Sequence, residues 1–285
     1  MRGVRVVRDL VGLGWRHELA CDIFENLDRI DVVEVVAEGW LSGSRRQQRA
    51  LETLGTQVPV LLHGVSLGMA SSAPVERRRL DRMARLVEAV QPVGWSEHLA
   101  FVRGGGIEIG HLAAPPRTHE VIGGTVSNVL AAAKVIGQAP VLENVATLID
   151  PPGSEMGEAD WLCAALAATD CDMLLDLHNL HVNAANHGFD ARDAIWRLPA
   201  ERIAVVHLAG GSTLGPMLLD DHLHQVPDVV FELLALVAER VPRPLTVIVE
   251  RDGVYPPFSV LAGELDRARR ALEAGRLRRH HDHRL

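Results

Sequence analysis

The chain has 285 residues, 47% of them apolar, and a formal net charge of −8. That length suits one α/β barrel, which typically needs about 250 residues. The acidic balance and an aromatic content of 4% argue against a nucleic-acid binder, which would show a basic face and stacking rings.

Short apolar runs recur in chain order: Val11–Leu13, Val32–Val36, Val58–Leu62, Val93–Trp95, Val141–Leu142, Met173–Leu177, Ile203–Val206 and Leu245–Val249. Their length and β-branched content predict buried parallel strands. Helical spacing intervenes, as in Pro74–Val90, where Leu80, Met83, Leu86, Val87 and Val90 share a face. It returns in Pro227–Arg240, with proline in the first turn. Eight strands alternating with helices predict a closed (β/α)₈ barrel of the TIM type. An open doubly wound sheet is disfavoured because no GxGxxG follows the first strand. Phe101–Gly110 reads as a hairpin with glycines at its turn; the triple glycine lacks the Lys-Ser/Thr of a phosphate loop. Residues 1–275 are expected to form one barrel domain, and 276–285 a polar, disordered tail.

No apolar run approaches the roughly 18 residues of a membrane span, and the N-terminus lacks a secretory-signal pattern. Cys21, Cys163 and Cys171 do not have zinc-site spacing, so a reduced, cytoplasmic setting is expected.

The chemical signal lies where strands end. His63 closes the third run, Glu97 and His98 the fourth, and Glu143 with Asn144 the fifth. Asp176, His178, Asn179 and His181 follow the sixth. His207 closes the seventh, with Asp220, His222 and His224 in the next loop, and Glu250 closes the eighth. In a barrel these ends converge on one mouth. Uncompensated carboxylates there would each cost several kcal/mol. Divalent cations would neutralise them and accept imidazole nitrogens as further donors. Each residue also has a plainer reading. His63 or His207 can be a core histidine, and Glu97 and Glu250 can pair with arginines. Asp176 can cap a helix, and Asp220–His224 can be a solvated loop. It is their recurrence at successive strand ends that points to metal. Ser66 and Ser96 lie outside any Gly-x-Ser-x-Gly elbow, which disfavours a serine hydrolase. Asp220 and His222 are two apart, so an extended segment would turn both to one side, with Asp221 and Leu223 facing away.

At these residues the chain resembles the multinuclear non-haem iron-dependent oxidases that modify cysteine-containing peptides. The resemblance runs from Gly12-Leu13-Gly14 to about Leu272. It rests on His63-Gly-Val-Ser-Leu67, Ser96-Glu-His-Leu99, Glu143-Asn144, Leu175-Asp-Leu-His-Asn179, Val182-Asn-Ala184, His207-Leu-Ala-Gly210 and Asp220–Pro227. The ligand order is also similar to that of endonuclease IV and related trinuclear barrels of the xylose isomerase-like class. The resemblance implies one ion on His63, His98 and Glu143. It implies a second on a bridging Glu143 with Asp176, His207 and Glu250, and a third on Asp220, His222 and either Asn179 or His181. Glu97, Asn144, His178, His181 and His224 would then contact substrate or support the ligands. It further implies two or three iron ions in mixed ferrous and ferric states, a precursor-peptide substrate and a separate peptide-recognition partner. Zinc or manganese is the alternative metal.

The chain departs from the pattern at Gly211, where a histidine is expected, at Leu223 for an aspartate, and at Arg251 for an aromatic. His178 replaces an asparagine, and His181 stands where an aromatic is common. Three other readings stay open on the residues alone: a zinc or manganese hydrolase, a sugar isomerase and a metal-free scaffold. The isomerase is disfavoured because Lys134, the single lysine, falls in the alanine-rich stretch Leu130–Ile136.

Overall fold

The computed structural model describes residues 8–282. Eight parallel strands close a barrel: β1 (Leu10–Gly14), β2 (Val33–Val36), β3 (Val60–Gly64), β4 (Gly94–His98), β7 (Val141–Glu143), β8 (Met173–Asp176), β9 (Ile203–Leu208) and β12 (Thr246–Val249). Around the ring their order is β1-β12-β9-β8-β7-β4-β3-β2. All eight predicted runs are barrel strands, with bounds shifted by at most three residues. Two antiparallel hairpins are inserted after strand ends: β5 (Phe101–Gly104) with β6 (Ile107–Ala113), and β10 (Ser212–Leu214) with β11 (Met217–Leu219). The first is the predicted hairpin, with Gly105 and Gly106 at φ +58° and +80° in its turn.

The outer layer comprises α1 (Ala20–Glu25), α2 (Arg45–Gln57), α3 (Arg77–Val90), α4 (His119–Ile136), α5 (Glu158–Thr169), α6 (Leu177–His187), α7 (Ala191–Arg197), α8 (Asp228–Arg240) and α9 (Phe258–Asp282). The helix expected from Pro74 begins three residues later, and Pro227 caps α8 rather than lying in its first turn. Of the expected disordered tail, residues 276–282 instead continue α9 to Asp282, and residues 283–285 lie outside the described residues. Arg276 binds Asp9 and the carbonyls of Ala238 and Arg243, and Arg279 binds the carbonyl of Arg240. These basic side chains satisfy carbonyls at and just beyond the end of α8, which holds the last turns of α9 in place.

The barrel interior explains where the site lies. Val32, Leu61, Leu174, Val205 and Ile248 form a buried inner cluster, with Leu10, Val93, Val141 and Ala204 packed against it. Side chains alternate along a strand, so the residue two positions further on faces inward again. From Val32, Leu61, Val141, Leu174, Val205 and Ile248 that residue is Glu34, His63, Glu143, Asp176, His207 and Glu250. An apolar floor is thus overlaid by an acid and imidazole layer at the carboxyl ends of the strands.

Candidate metal centre

The inward layer converges. His63 Nε2 and His98 Nε2 lie 3.4 and 3.1 Å from Glu143 Oε2. The other Glu143 oxygen, Oε1, is 3.2 Å from His207 Nδ1, which is 3.0 Å from Glu250 Oε2. His222 Nδ1 is 3.4 Å from the same Glu250 oxygen, and its Nε2 is 2.9 Å from Asp220 Oδ1. Among the described residues, donor atoms close enough to share an ion form groups of His63, His98 and Glu143; of Glu143, Asp176 and His207; of Asp176, His222 and Glu250; and of Glu34, His207 and Glu250. The first three overlap at Glu143 and Asp176.

Each imidazole is oriented by its second nitrogen. His63 Nδ1 is 2.7 Å from Ser96 Oγ, and His98 Nδ1 is 3.2 Å from the Gly64 carbonyl. Both rings therefore turn Nε2 toward Glu143. His207 Nε2 lies 3.0 Å from Glu34 Oε2 on β2, which turns Nδ1 to Glu143 and Glu250. Such outer hydrogen bonds fix ring and tautomer at metal sites. Asp176 serves in two ways at once. Its Oδ1 accepts the Asn179 N–H and caps α6, while its Oδ2 is buried with no hydrogen-bond partner.

Whether these residues suit cations is answered by the buried atoms left over. Glu143 Oε2, Asp176 Oδ2, Asn179 Oδ1, His207 Nδ1 and His222 Nε2 all lack a hydrogen-bond partner. Buried polar atoms left without partners among the candidate ligands are costly unless cations receive them. The electrostatic balance agrees. Burial pushes Asp176 well above the ordinary carboxyl range, and neighbouring Asp220 adds to it. Burial opposes charge on His98, yet Glu143 and Glu97 raise it to about 9. His207 and His222 are likewise raised against burial, chiefly by Glu250. Without cations, protons supply the positive charge this cluster requires.

The remaining expected residues fall outside the inner groups. Glu97 is fully buried behind the site and accepts the N–H groups of Leu67 and His98. Asn144 exchanges two hydrogen bonds with the Asp176 backbone, fastening β7 to β8. His178 Nδ1 holds Asp220 Oδ1 at 2.6 Å. His181 is half-buried beside His178, and burial lowers its pKa. His224 is exposed on Asp221. The expected extended chelating segment is corrected: His222 has φ +56°, and Asp221 folds back to accept the Leu223 N–H at 3.0 Å. The His222 ring meets Asp220 through that kink.

Sequence reasoning missed Glu34, Glu38, Arg16 and Asp252. Glu34 was legible as the single charge inside Val32–Val36, on the inward phase. Glu38 accepts the Val65 N–H, and burial followed by Glu97 raises its pKa. Arg16 pairs with Asp252 at the rim, where Asp252 Oδ2 lies 3.4 Å from His222 Nδ1. Two departures from the family pattern meet in space. A Cβ at Gly211 would stand 2.6 Å from His178 Cε1 and 1.8 Å from the Leu219 carbonyl oxygen. The His178 ring thus occupies room that a residue-211 side chain would need.

Fold and mouth together define a xylose isomerase-like barrel carrying a candidate multinuclear metal centre. Solved structures of that class align over most of the chain. A xylose isomerase domain protein from Alicyclobacillus acidocaldarius has a TM-score of 0.61 at 15% identity, covering 93% of this chain and 99% of that one. Endonuclease IV from Thermus thermophilus has a TM-score of 0.55 at 18% identity, with the same coverage. At such identities the likeness shows the fold alone. The sequence is more specific: the chain belongs to the family described as RiPP precursor modification enzyme MbnB/TglH/ChrH, matched over residues 10–273. A UPF0276 protein from Streptomyces avermitilis is 38% identical over 269 residues, covering 92% of this chain and 55% of the relative. Another from Rhizorhabdus wittichii is 35% identical over 266 residues, covering 92% and 94%. This chain therefore spans about half the length of the first relative and nearly all of the second. No helix among the described residues is long and apolar enough to cross a membrane.

Proposed function

We propose that the chain is a multinuclear non-haem iron oxidase that uses O₂ to modify a cysteine of a ribosomally made precursor peptide. The observation that carries this reading is the double engagement of Glu143, whose two oxygens face two separate groups of ligands. A carboxylate so placed would bridge two cations. His63 and His98 would hold one, and Asp176, His207 and Glu250 the second. Asp220, His222 and Asn179 would hold a third.

The donors are oxygen and imidazole nitrogen without thiolate, a set that suits iron, manganese or zinc. When bound, iron would supply redox capacity toward O₂ and an attachment point for a substrate thiolate. The chain's residues do the rest. Glu143, Asp176 and Glu250 balance the cationic charge, while Ser96, the Gly64 carbonyl and Glu34 hold the rings in aim. The loops around the mouth expose Ile107, Ile109, Leu148, Ile149, Leu214 and Val254. Exposed apolar residues on loops that follow the ligand-bearing strand ends suit a peptide better than a sugar or a phosphodiester. A separate recognition protein that presents the peptide would use the same face.

The test is to load anaerobically purified protein with iron(II), add a cysteine-containing precursor peptide from the same gene neighbourhood, and admit O₂. A mass change that requires O₂ and disappears in the Cys→Ser peptide is expected. An unchanged peptide alongside phosphodiester hydrolysis by the zinc-loaded protein would replace this reading with the hydrolase.

A further inference from the structure

We propose that Arg251 and Glu264 form a buried clamp that holds His222 in its left-handed backbone conformation, and with it the ring between Asp220 and Glu250. The inference rests on the reading of Asp220, His222 and Glu250 as metal ligands. His222 is one of four non-glycine residues at positive φ among those described; two of the others, Gln91 and Asp170, cap helix C-termini, where that conformation is ordinary. His222 has no helix end to explain it. A strained residue persists only where its surroundings over-determine it.

The surroundings do so from several sides. The Asp252 N–H donates to the His222 carbonyl at 2.9 Å. The next residue is held at both ends: Leu223 N–H donates to Asp221 Oδ1 at 3.0 Å, and the Leu223 carbonyl accepts from Arg251 Nη1 at 3.3 Å. Further along, Val226 N–H donates to Glu264 Oε1 at 2.9 Å. Arg251 Nη2 lies 3.6 Å from that same oxygen, so the guanidinium and the carboxylate grip the loop on either side of His224 and Gln225. Both side chains are buried. Glu264 comes from α9, so the clamp ties the end of β12, the ligand loop and the last helix together.

A pair added only for stability would not be built this way. Arg251 Nε and Nη2 and Glu264 Oε2 are buried without hydrogen bonds. A buried ion pair with such gaps is commonly no more stable than an apolar replacement. What this pair does supply is a fixed distance from its own backbone to Leu223 and Val226. Arg251 directly follows Glu250, so the ligand and the clamp for its neighbouring ligand share one stretch of chain. Arg251 and Glu264 are positioning residues: neither reaches the cluster itself.

The test uses the double variant Arg251→Met/Glu264→Leu, which removes both charges, and Arg251→Lys, which keeps the buried cation. Iron(II) is added anaerobically and counted by elemental analysis, its location comes from anomalous scattering, and hydrogen exchange of residues 221–226 is followed without metal. The double variant is expected to melt no lower than the wild type and to exchange these amides at least tenfold faster. Its His222 should relax to negative φ. It should also bind the ion at Asp220 and His222 at least tenfold more weakly while keeping the ion at His63 and His98. Arg251→Lys should recover part of that loss. A double variant with wild-type exchange and an unmoved His222 would overturn the clamp, as would wild-type exchange in Arg251→Lys should the double variant fail to fold. A wild-type protein with no ion at Asp220 and His222 would remove the ligand reading instead; loop exchange and His222 geometry decide the clamp in either case.

Discussion

Replacing Glu143 with Gln keeps the side-chain volume and removes the charge shared by two ligand groups. Oε2 lies within 3.4 Å of His63 Nε2 and 3.1 Å of His98 Nε2, and Oε1 within 3.2 Å of His207 Nδ1. Breaking a buried charge pair by removing one partner costs about 3–5 kcal/mol. At about 1.4 kcal/mol per decade, a loss of 3 kcal/mol at each ion weakens its affinity by roughly a hundredfold. The variant should therefore fold and lose at least one metal per chain. The assay is elemental analysis of wild type and Glu143→Gln purified identically without oxygen, with a thermal melt of each. A second readout needs no metal. Burial opposes charge on His98, and Glu143 is the foremost group raising it to about 9, so its NMR titration midpoint should fall sharply in Glu143→Gln. Unchanged metal content together with an unchanged His98 midpoint would refute the bridging role.

Glu34→Gln leaves every proposed ligand in place but weakens the hold on His207, so affinity should fall about 10–100-fold without abolishing binding; titration with zinc measures it, and wild-type affinity would count against the assignment. Asp220→Ala or His222→Ala should remove one ion while the ions around Glu143 stay, whereas Leu223→Asp should leave metal per chain unchanged; equal metal content in wild type and both alanine variants would eliminate the third site. Gly211→Ala forces a Cβ against the Leu219 carbonyl and His178, and overpacking of that kind costs about 1–3 kcal/mol, read as a lower melting temperature. The pH dependence has opposite signs with and without metal. A folded-state His98 at about 9 against 6.5 unfolded gives the metal-free protein stability, roughly 3 kcal/mol, that is complete below pH 6.5 and lost as pH rises through 9. Metal affinity should strengthen over that same window as cations displace protons, so melts in chelator should drop from pH 6.5 to 9 and melts with metal should not.

The fold was legible because buried parallel strands announce themselves as short β-branched runs, and all eight did so. Most of the centre was legible for a related reason. On six of the eight strands the last inward position, or the residue just past it, carries an acid or an imidazole where a core strand would continue apolar. Glu34 obeys the same two-residue phase but sits before an apolar pair, Val35-Val36, and so does not look like a strand end. What depends on loop geometry was not readable. An extended segment was the simplest way for Asp220 and His222 to converge, but the chain instead kinks at His222. That kink relies on Arg251 and Glu264, the latter some forty residues further along the chain. Asp176 could not be assigned between capping and ligation because one oxygen caps α6 while the other is buried without a hydrogen bond among the candidate ligands.

The proposed function would place several iron ions in this mouth, bridged by Glu143. The most direct measurement is a crystal structure of anaerobically purified, iron-loaded protein with anomalous maps at the iron edge and elemental analysis of the same sample. Two or three iron peaks are expected, one beside His63 and His98 and another beside Asp176 and His207, with one oxygen of Glu143 on each. A single peak, or none between these groups, would rule out a bridged iron centre here.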